Sequence, residues 1–320
     1  MTAVPMEGQP SETTSAASGG GRGPKPRTSR VGKDPRVLPY LLVTPLAVFI
    51  VGLALVPAGF TLVESFFTVN ALDPPTRFSG LANFQHLFAN PAIRHSIGNT
   101  LLYVLIGVAL STALGIAMAV VLQRKFWGRS AVIALIVLPW ALPGVVEGLV
   151  WSGIYDPNSG LLNSFLTSVH LIDNYQVFLG QHGLLTIALI EIVQVWQMTP
   201  LSTLLILAVL QVIPDDIYEA ARLDGCNAWS AFRYITLPLA RAGIAIAMVQ
   251  AVVATLNVFD QPYVLNGAAT TGVSLTMQTY FISFQNLDFG QGYALSLLIT
   301  VVTVLVSLVV VRAVYRKVEF

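Results

Sequence analysis

Charge is scarce in this chain. Of its 320 residues only 10% are charged, against 55% hydrophobic, whereas soluble globular domains carry roughly a quarter charged residues. That shortage excludes an ordinary soluble fold and points to a membrane protein. Cysteine is scarcer still. Cys226 stands alone, so neither an intrachain disulfide nor a cysteine-based metal cluster can form. No Gly-x4-Gly-Lys-Ser/Thr phosphate loop occurs, so the chain is not expected to hydrolyse ATP itself or to carry a cofactor of its own. Basic residues are missing from the interior of every long apolar stretch, which argues against an obligatory anionic ligand there.

What the sequence has in quantity is apolar runs. Six are long enough to cross a bilayer, which takes roughly 20 residues as a helix. They lie near Leu38 to Phe60, Ile97 to Leu122, Ser130 to Trp151, Gly183 to Val212, Ala240 to Phe259 and Tyr293 to Val314. The expected fold is therefore an all-α polytopic membrane protein of six transmembrane helices. The fourth run is long enough to tilt, or to be shortened where Pro200 removes a backbone donor. Pro139 and Pro143 should kink or break the third, and the freed carbonyls then need partners or water.

Residues 1–36 precede the first run and are rich in Gly, Pro, Ser and Thr. Such a segment cannot bury enough apolar surface to offset its ordering entropy, so a disordered basic tail is expected before a membrane domain over 37–320. It lacks the compact apolar core and small-residue cleavage site of a removable leader, so the first span is expected to remain as an anchor. Fifteen of the seventeen basic residues fall on one side of a six-span arrangement. They are Arg22, Lys25, Arg27, Arg30, Lys33 and Arg36 in the tail, then Arg124, Lys125 and Arg129, then Arg222, Arg233 and Arg241, and finally Arg312, Arg316 and Lys317; only Arg77 and Arg94 oppose them. Cytoplasmic loops carry the excess of Lys and Arg, so both termini and the segment 213–240 are expected in the cytoplasm.

That segment, PDDIYEAARLDGCNAWSAFRYITLPLA, is the polar exception between the fourth and fifth runs. Pro214 suits a first helical turn, and Asp215, Asp216 and Glu219 place negative charge near the positive helix end. Gly225 reads as a stop. Asn227 reads as the cap of a second short helix through Trp229, Phe232 and Tyr234, ending at a break before Pro238. Two short helices joined at a glycine make a knuckle. It could pack back on its own spans or dock into a partner's groove.

EAARLDGCNAWSAFRYITLP resembles the cytoplasmic motif of permease subunits of binding-protein-dependent ABC importers: Glu-Ala-Ala, three residues, Gly, nine residues, then Ile-x-Leu-Pro. The matching positions are Glu219, Ala220, Ala221, Gly225, Ile235, Leu237 and Pro238, with Asp224 just before the glycine. FSGLANFQHLFANPAIRHSIGNTLLYV, LPWALPGVVEGLVWSGIYDPNSGLLN and FDQPYVLN are similar to further segments of the carbohydrate branch, the maltose and glycerol-phosphate type, and the likeness runs from about Pro39 to the end. After FDQPYVLN the family usually continues Thr-x-Gly-Gly-Pro, whereas this chain reads Asn266-Gly267-Ala268-Ala269. Cys226 stands where the family commonly has Ala, and a small buried spacer is expected there. The resemblance implies a type I importer permease fold and a plasma or inner membrane location in a prokaryote. It implies that the knuckle is a coupling helix seated in a separate ATPase subunit, with Glu219 and Gly225 central. The implied partners are two ATPase subunits holding ATP and Mg, a second related permease, an extracytoplasmic sugar-binding protein and membrane lipid, with no nucleic acid.

Ionisable residues inside spans are expensive and suggest function. Glu147 and Glu191 are the two clear cases. Gln194 and Met198 share a helix face with Glu191, Gln197 and Trp196 lie close by, and Trp151 lies one turn beyond Glu147. Gly243, Gln250 and Asn257 recur every seven residues, so they fall on one stripe. Amides, carboxylates and an aromatic plane suit a polyhydroxylated ligand. Amides and glycines in spans also serve plain helix packing. Asp156, Asp173, Asp260 and Asp288, with His86, His95, His170 and His182, match no metal or triad spacing and read as solvated loops or contacts for an external protein. A neutral mono- or oligosaccharide or polyol is the expected cargo, with an amino sugar or glycerol 3-phosphate as alternatives. The rival is an ion- or proton-coupled secondary carrier using Glu147 and Glu191, although no internal repeat is visible. A membrane-embedded enzyme would need a reactive constellation, and none stands out.

Overall fold

Long apolar runs have one way to satisfy their backbone in lipid, and that is to become helices. The computed structural model describes residues 38–181, 183–267 and 271–314, and the chain divides into two units at Leu53 and Ala54. The expected tail over 1–36, His182, Ala268, Ala269, Arg316 and Lys317 lie outside the described residues. The first unit contributes α1 (Leu38–Ile50), and the boundary falls within a π turn, Val51–Leu55.

The second unit opens with α2 (Val56–Glu64). Strands β1 (Phe67–Thr68) and β2 (Arg77–Phe78) then pair antiparallel. Asn83 of α3 (Ala82–Ala89) fastens this corner by donating to the carbonyls of Ser65 and Phe67. The 33-residue α4 (Pro91–Gln123) begins at an Asn90 cap whose side chain accepts from the Ala92 N–H. At a rise of 1.5 Å per residue such a helix is about 50 Å long, more than the roughly 30 Å of a hydrocarbon core.

The third run is broken at Pro143, while Pro139 lies within the helix before the break. α5 (Arg129–Ala141) ends at Leu142, α6 (Gly144–Ile154) starts after Pro143, and the two are bent by 96°. A short α7 (Leu161–Ser168) follows. Ahead of it, Asp156 accepts from the backbone N–H groups of Asn158 and Ser159, and these bonds hold its carboxyl below the usual carboxylate range. α8 (Gly183–Leu210) runs unbroken through Pro200, so the proline does not shorten it.

The polar segment folds as α9 (Asp215–Leu223), α10 (Ala228–Ala231), a π turn Phe232–Thr236, and α11 (Leu237–Leu239). Here the structure corrects the expected break before Pro238. The chain stays helical through the proline and bends by 68° only after Leu239. In the π turn the Leu237 N–H reaches back five residues to Phe232 O, and Pro238 then falls at the start of a fresh turn, where its missing N–H does no harm.

α12 (Arg241–Leu256), α13 (Asp260–Asn266), α14 (Leu275–Tyr280), a π turn Phe281–Gln285 and α15 (Phe289–Val314) complete the chain. Among the described residues, four helices are long and apolar enough to cross a membrane, and six spans result when each bent pair is one crossing.

The centre of the second unit is the packing of α4, α8 and α12. Gly107, Ser111, Gly115 and Ala119 recur every fourth residue on α4 and all are buried, so backbones approach closely along one stripe. A Cβ on Gly115 would stand 2.9 Å from Ser202 Cβ, and one on Gly243 of α12 would stand 3.0 Å from Leu205 O. Only glycine permits either approach.

Candidate functional site

Local sequence makes the knuckle. Gly225 has φ +80°, a conformation that L side chains adopt at a cost. Its N–H donates to Arg222 O at 3.1 Å while the Cys226 N–H donates to Ala221 O at 2.9 Å, the paired bonds that close a helix at a left-handed glycine. Asn227 then caps α10 by accepting from the Ser230 N–H at 2.9 Å. Tyr218 on α9 and Thr236 in the π turn share a hydroxyl hydrogen bond of 3.1 Å, which braces the two arms. Glu219, Ala220 and Asp224 are exposed, Ala221 is half-buried, and Ile235, Leu237 and Pro238 are half-buried at the foot of the second arm. Cys226 is half-buried, with Sγ donating to the Asn227 carbonyl at 3.7 Å. Large apolar side chains point outward: Leu223 is 90% exposed, and Tyr234 and Trp229 are more than half exposed.

The six intramembrane candidates do not form one constellation. Glu147 is fully buried, and its Oε2 accepts from Gln261 Nε2 at 3.1 Å. Gln261 also donates to Gln197 Oε1 at 3.0 Å, and Gln197 Nε2 donates to the Leu142 carbonyl at 3.4 Å. The broken third span, α8 and α13 are thereby tied through one polar chain, and the Leu142 carbonyl at the break finds its partner in Gln197. Trp151 packs beside this group against Tyr155 and Trp196, with ring centroids 5.4 and 5.7 Å away.

Glu191 lies deep between the three central helices. Its carboxylate faces Gly107 of α4 so closely that any Cβ there would collide with it and with Thr255 of α12. Neither carboxyl oxygen has a hydrogen-bond partner among the described residues. Gln194 is buried one turn away and donates to Ala254 O at 3.3 Å. The Oε1 atoms of Gln194 and Gln250 are without partners among the described residues, as are Ser111 Oγ and Ser202 Oγ.

The stripe Gly243, Gln250, Asn257 divides by environment. Gly243 packs on α8, Gln250 is half-buried, and Asn257 is exposed at the end of α12 with its Nδ2 donating to Val253 O at 2.8 Å. Asn257 shares a cleft of ≈ 370 Å³ with Phe259, Tyr280 and the hydroxyls of Thr276, Thr279 and Thr300. Sequence reasoning missed Gln261. Its one signal is the polar pair Asp260-Gln261 directly before a proline in an otherwise apolar stretch, a pair that reads equally well as a loop.

The loop reading of the acidic and histidine residues holds for Asp173 and His170, which are exposed, whereas His86 and His95 are exposed on α3 and α4, because helices also form outside the apolar runs. It does not hold for Asp260 and Asp288. Asp260 is half-buried against Gly144 of α6, because α13 folds back onto the broken span. Asp288 is half-buried as the cap of α15, accepting from the Gln291 N–H at 3.0 Å. Among the described residues no cluster of His, Cys, Asp or Glu could hold a metal ion.

Long apolar helices, a broken span and a braced polar knuckle define a polytopic α-helical membrane protein. The chain belongs to the family described as binding-protein-dependent transport system inner membrane component, whose profile matches residues 111–319. It is 30% identical over 286 residues to the trehalose/maltose transport system permease protein MalF of Thermococcus litoralis, covering 89% of this chain and 96% of that protein. It is 28% identical over 265 residues to the trehalose transport system permease protein SugA of Mycobacterium tuberculosis H37Rv, covering 82% and 84%. The same fold occurs in a bacterial ABC transporter involved in the import of the acidic polysaccharide alginate, with a TM-score of 0.75 at 21% identity over 89% of this chain and 97% of that one.

Proposed function

We propose that this chain is one membrane-spanning subunit of an ATP-driven importer, and that it helps form the path for a neutral sugar or polyol handed over by an extracytoplasmic binding protein. The single observation that carries this reading is the knuckle. A membrane protein that held these two helices only for its own packing would turn their apolar side chains inward, yet Leu223, Trp229 and Tyr234 face outward beside Glu219. Such a surface suits a groove on a partner. The partner is the ATPase subunit, which supplies ATP and Mg, and Gly225, with Ile235, Leu237 and Pro238 at the base, lets the knuckle transmit its closure to the spans. The placement of fifteen basic residues on one side supports a cytoplasmic knuckle and cytoplasmic termini.

One knuckle per chain and two ATPase subunits per importer call for a second permease. The sugar names of the relatives MalF and SugA support the substrate class. For the pathway, Gln250 and Asn257 offer free acceptors, Trp151 offers a ring face, and Glu191 with Gln194 provides a polar interior that a hydroxylated ligand can reach when the helices part. No Lys or Arg lies within the cleft around Asn257, which favours a neutral cargo over glycerol 3-phosphate.

The test is uptake in vesicles containing this chain and its co-purified partners. Uptake that requires ATP and survives collapse of ion gradients supports the reading. Uptake that follows a proton or sodium gradient without ATP overturns it and makes Glu147 and Glu191 the coupling groups.

A further inference from the structure

Beside the knuckle lies a cleft of ≈ 630 Å³ between the end of α4 and the arms α9 and α10. Its lining includes Arg124, Lys125 and Arg222 against a single carboxylate, Asp215, with Gln123 and Asn227 supplying amides. Gln123 is held in place by donating to Leu210 O at 3.3 Å. All three cations are exposed, and they line the rim of this cleft.

A second, independent feature adjoins it. The loop that bears Arg124 and Lys125 continues as Phe126-Trp127, and Trp127 is 100% exposed while Phe126 is 41% exposed. A fully exposed tryptophan next to paired basic residues at the end of a membrane span is the arrangement of the interfacial aromatic belt, which sits at headgroup level. Basic pockets between helices on the cytoplasmic side suit anionic headgroups.

We infer that this cleft binds the phosphate of an anionic phospholipid, with Arg124 and Lys125 on the headgroup and Phe126 and Trp127 in the adjoining acyl boundary. The inference rests on the cytoplasmic placement of the knuckle proposed above. A lipid held there bridges α4 and both arms of the knuckle, so it steadies the element that meets the ATPase.

The test uses the purified complex of this chain with its partner subunits. Retention of phosphatidylglycerol against phosphatidylcholine is measured by native mass spectrometry, after exchange into nanodiscs containing both. Selective retention of phosphatidylglycerol is expected, falling by roughly thirtyfold in Arg124→Gln/Lys125→Gln, the size set by two basic side chains near an anionic surface. Trp127→Ala should lower retention as well, and inorganic phosphate added at millimolar level should not displace the lipid. Equal retention of the two lipids, or unchanged retention in the double variant, overturns the inference. Displacement by inorganic phosphate together with indifference to Trp127→Ala overturns it in favour of a soluble phosphate site. Co-purification of the ATPase is read on the same preparation. Loss of lipid selectivity with the ATPase bound sinks the lipid site alone, whereas absence of the ATPase sinks the importer reading.

Discussion

Gln261 and Glu147, 114 residues apart in sequence, meet in the interior at 3.1 Å, amide to carboxylate. The same amide nitrogen also reaches Gln197 at 3.0 Å, so one side chain satisfies groups on α6 and α8 at once. Glu147 Oε1 is left without a partner among the described residues, which leaves the group little redundancy. Gln261→Ala strands the buried Glu147 Oε2 and the half-buried Gln197 Oε1, and leaving a buried polar group unpaired costs about 1–3 kcal/mol. A lowered thermal midpoint of the detergent-solubilised protein is expected, with Glu147→Gln much milder because it keeps the shape. An unchanged midpoint in Gln261→Ala would show that the network holds nothing together.

Gly107 of α4 faces side chains of both α8 and α12, with Thr255 Cγ2 2.6 Å from where a Cβ would stand. Overpacking a filled interior costs about 1–3 kcal/mol for a methylene or more. Gly107→Val should therefore lower folded yield and thermal stability, whereas Gly98→Ala, with nothing within 4 Å, should be neutral. Fluorescence-detected size-exclusion profiles of the two variants decide the point, and equal profiles would contradict this packing.

At Gly225, φ +80° decides which substitutions work. Ala there costs about 1–2 kcal/mol in the left-handed region, while Asn tolerates it. Transport-linked ATP hydrolysis of the assembled complex should fall in Gly225→Ala and recover in Gly225→Asn. Identical activity in both variants would mean that the turn is not what couples the knuckle to the motor.

Glu191→Gln and Asn257→Ala are expected to lower uptake of the transported sugar without lowering assembly with partner subunits. Uptake is to be compared at equal amounts of purified complex. Wild-type uptake from both variants would remove these two residues from the pathway.

Much of this architecture was legible because lipid simplifies the rules. The apolar runs near Ile97 to Leu122 and Gly183 to Val212 became α4 and α8 with ends shifted by a few residues, and the third span broke at Pro143, although Pro139 stays within α5. Gly225 and Asn227 announced the knuckle's turn and cap through local chemistry alone. Pro238 misled, because whether a proline ends a helix depends on the turn before it, and a π turn is not visible in composition. Gln261 and the inward fold of Asp260 were hidden for a different reason. They depend on α13 folding back against α6, a tertiary contact that the polar pair before Pro262 does not disclose. Spacing placed Gly243, Gln250 and Asn257 on one stripe, yet their neighbours differ along it, so periodicity gave direction without giving environment.

If the outward face of the knuckle meets an ATPase as proposed, Leu223, exposed at its tip, lies at the contact. A photo-crosslinking amino acid at position 223 in the assembled membrane complex should yield one major product, this chain joined to the ATPase subunit, with yield changing when ATP is added. Crosslinks confined to this chain's own helices or to lipid, with no ATPase product under any nucleotide condition, would rule out the knuckle as the ATPase contact.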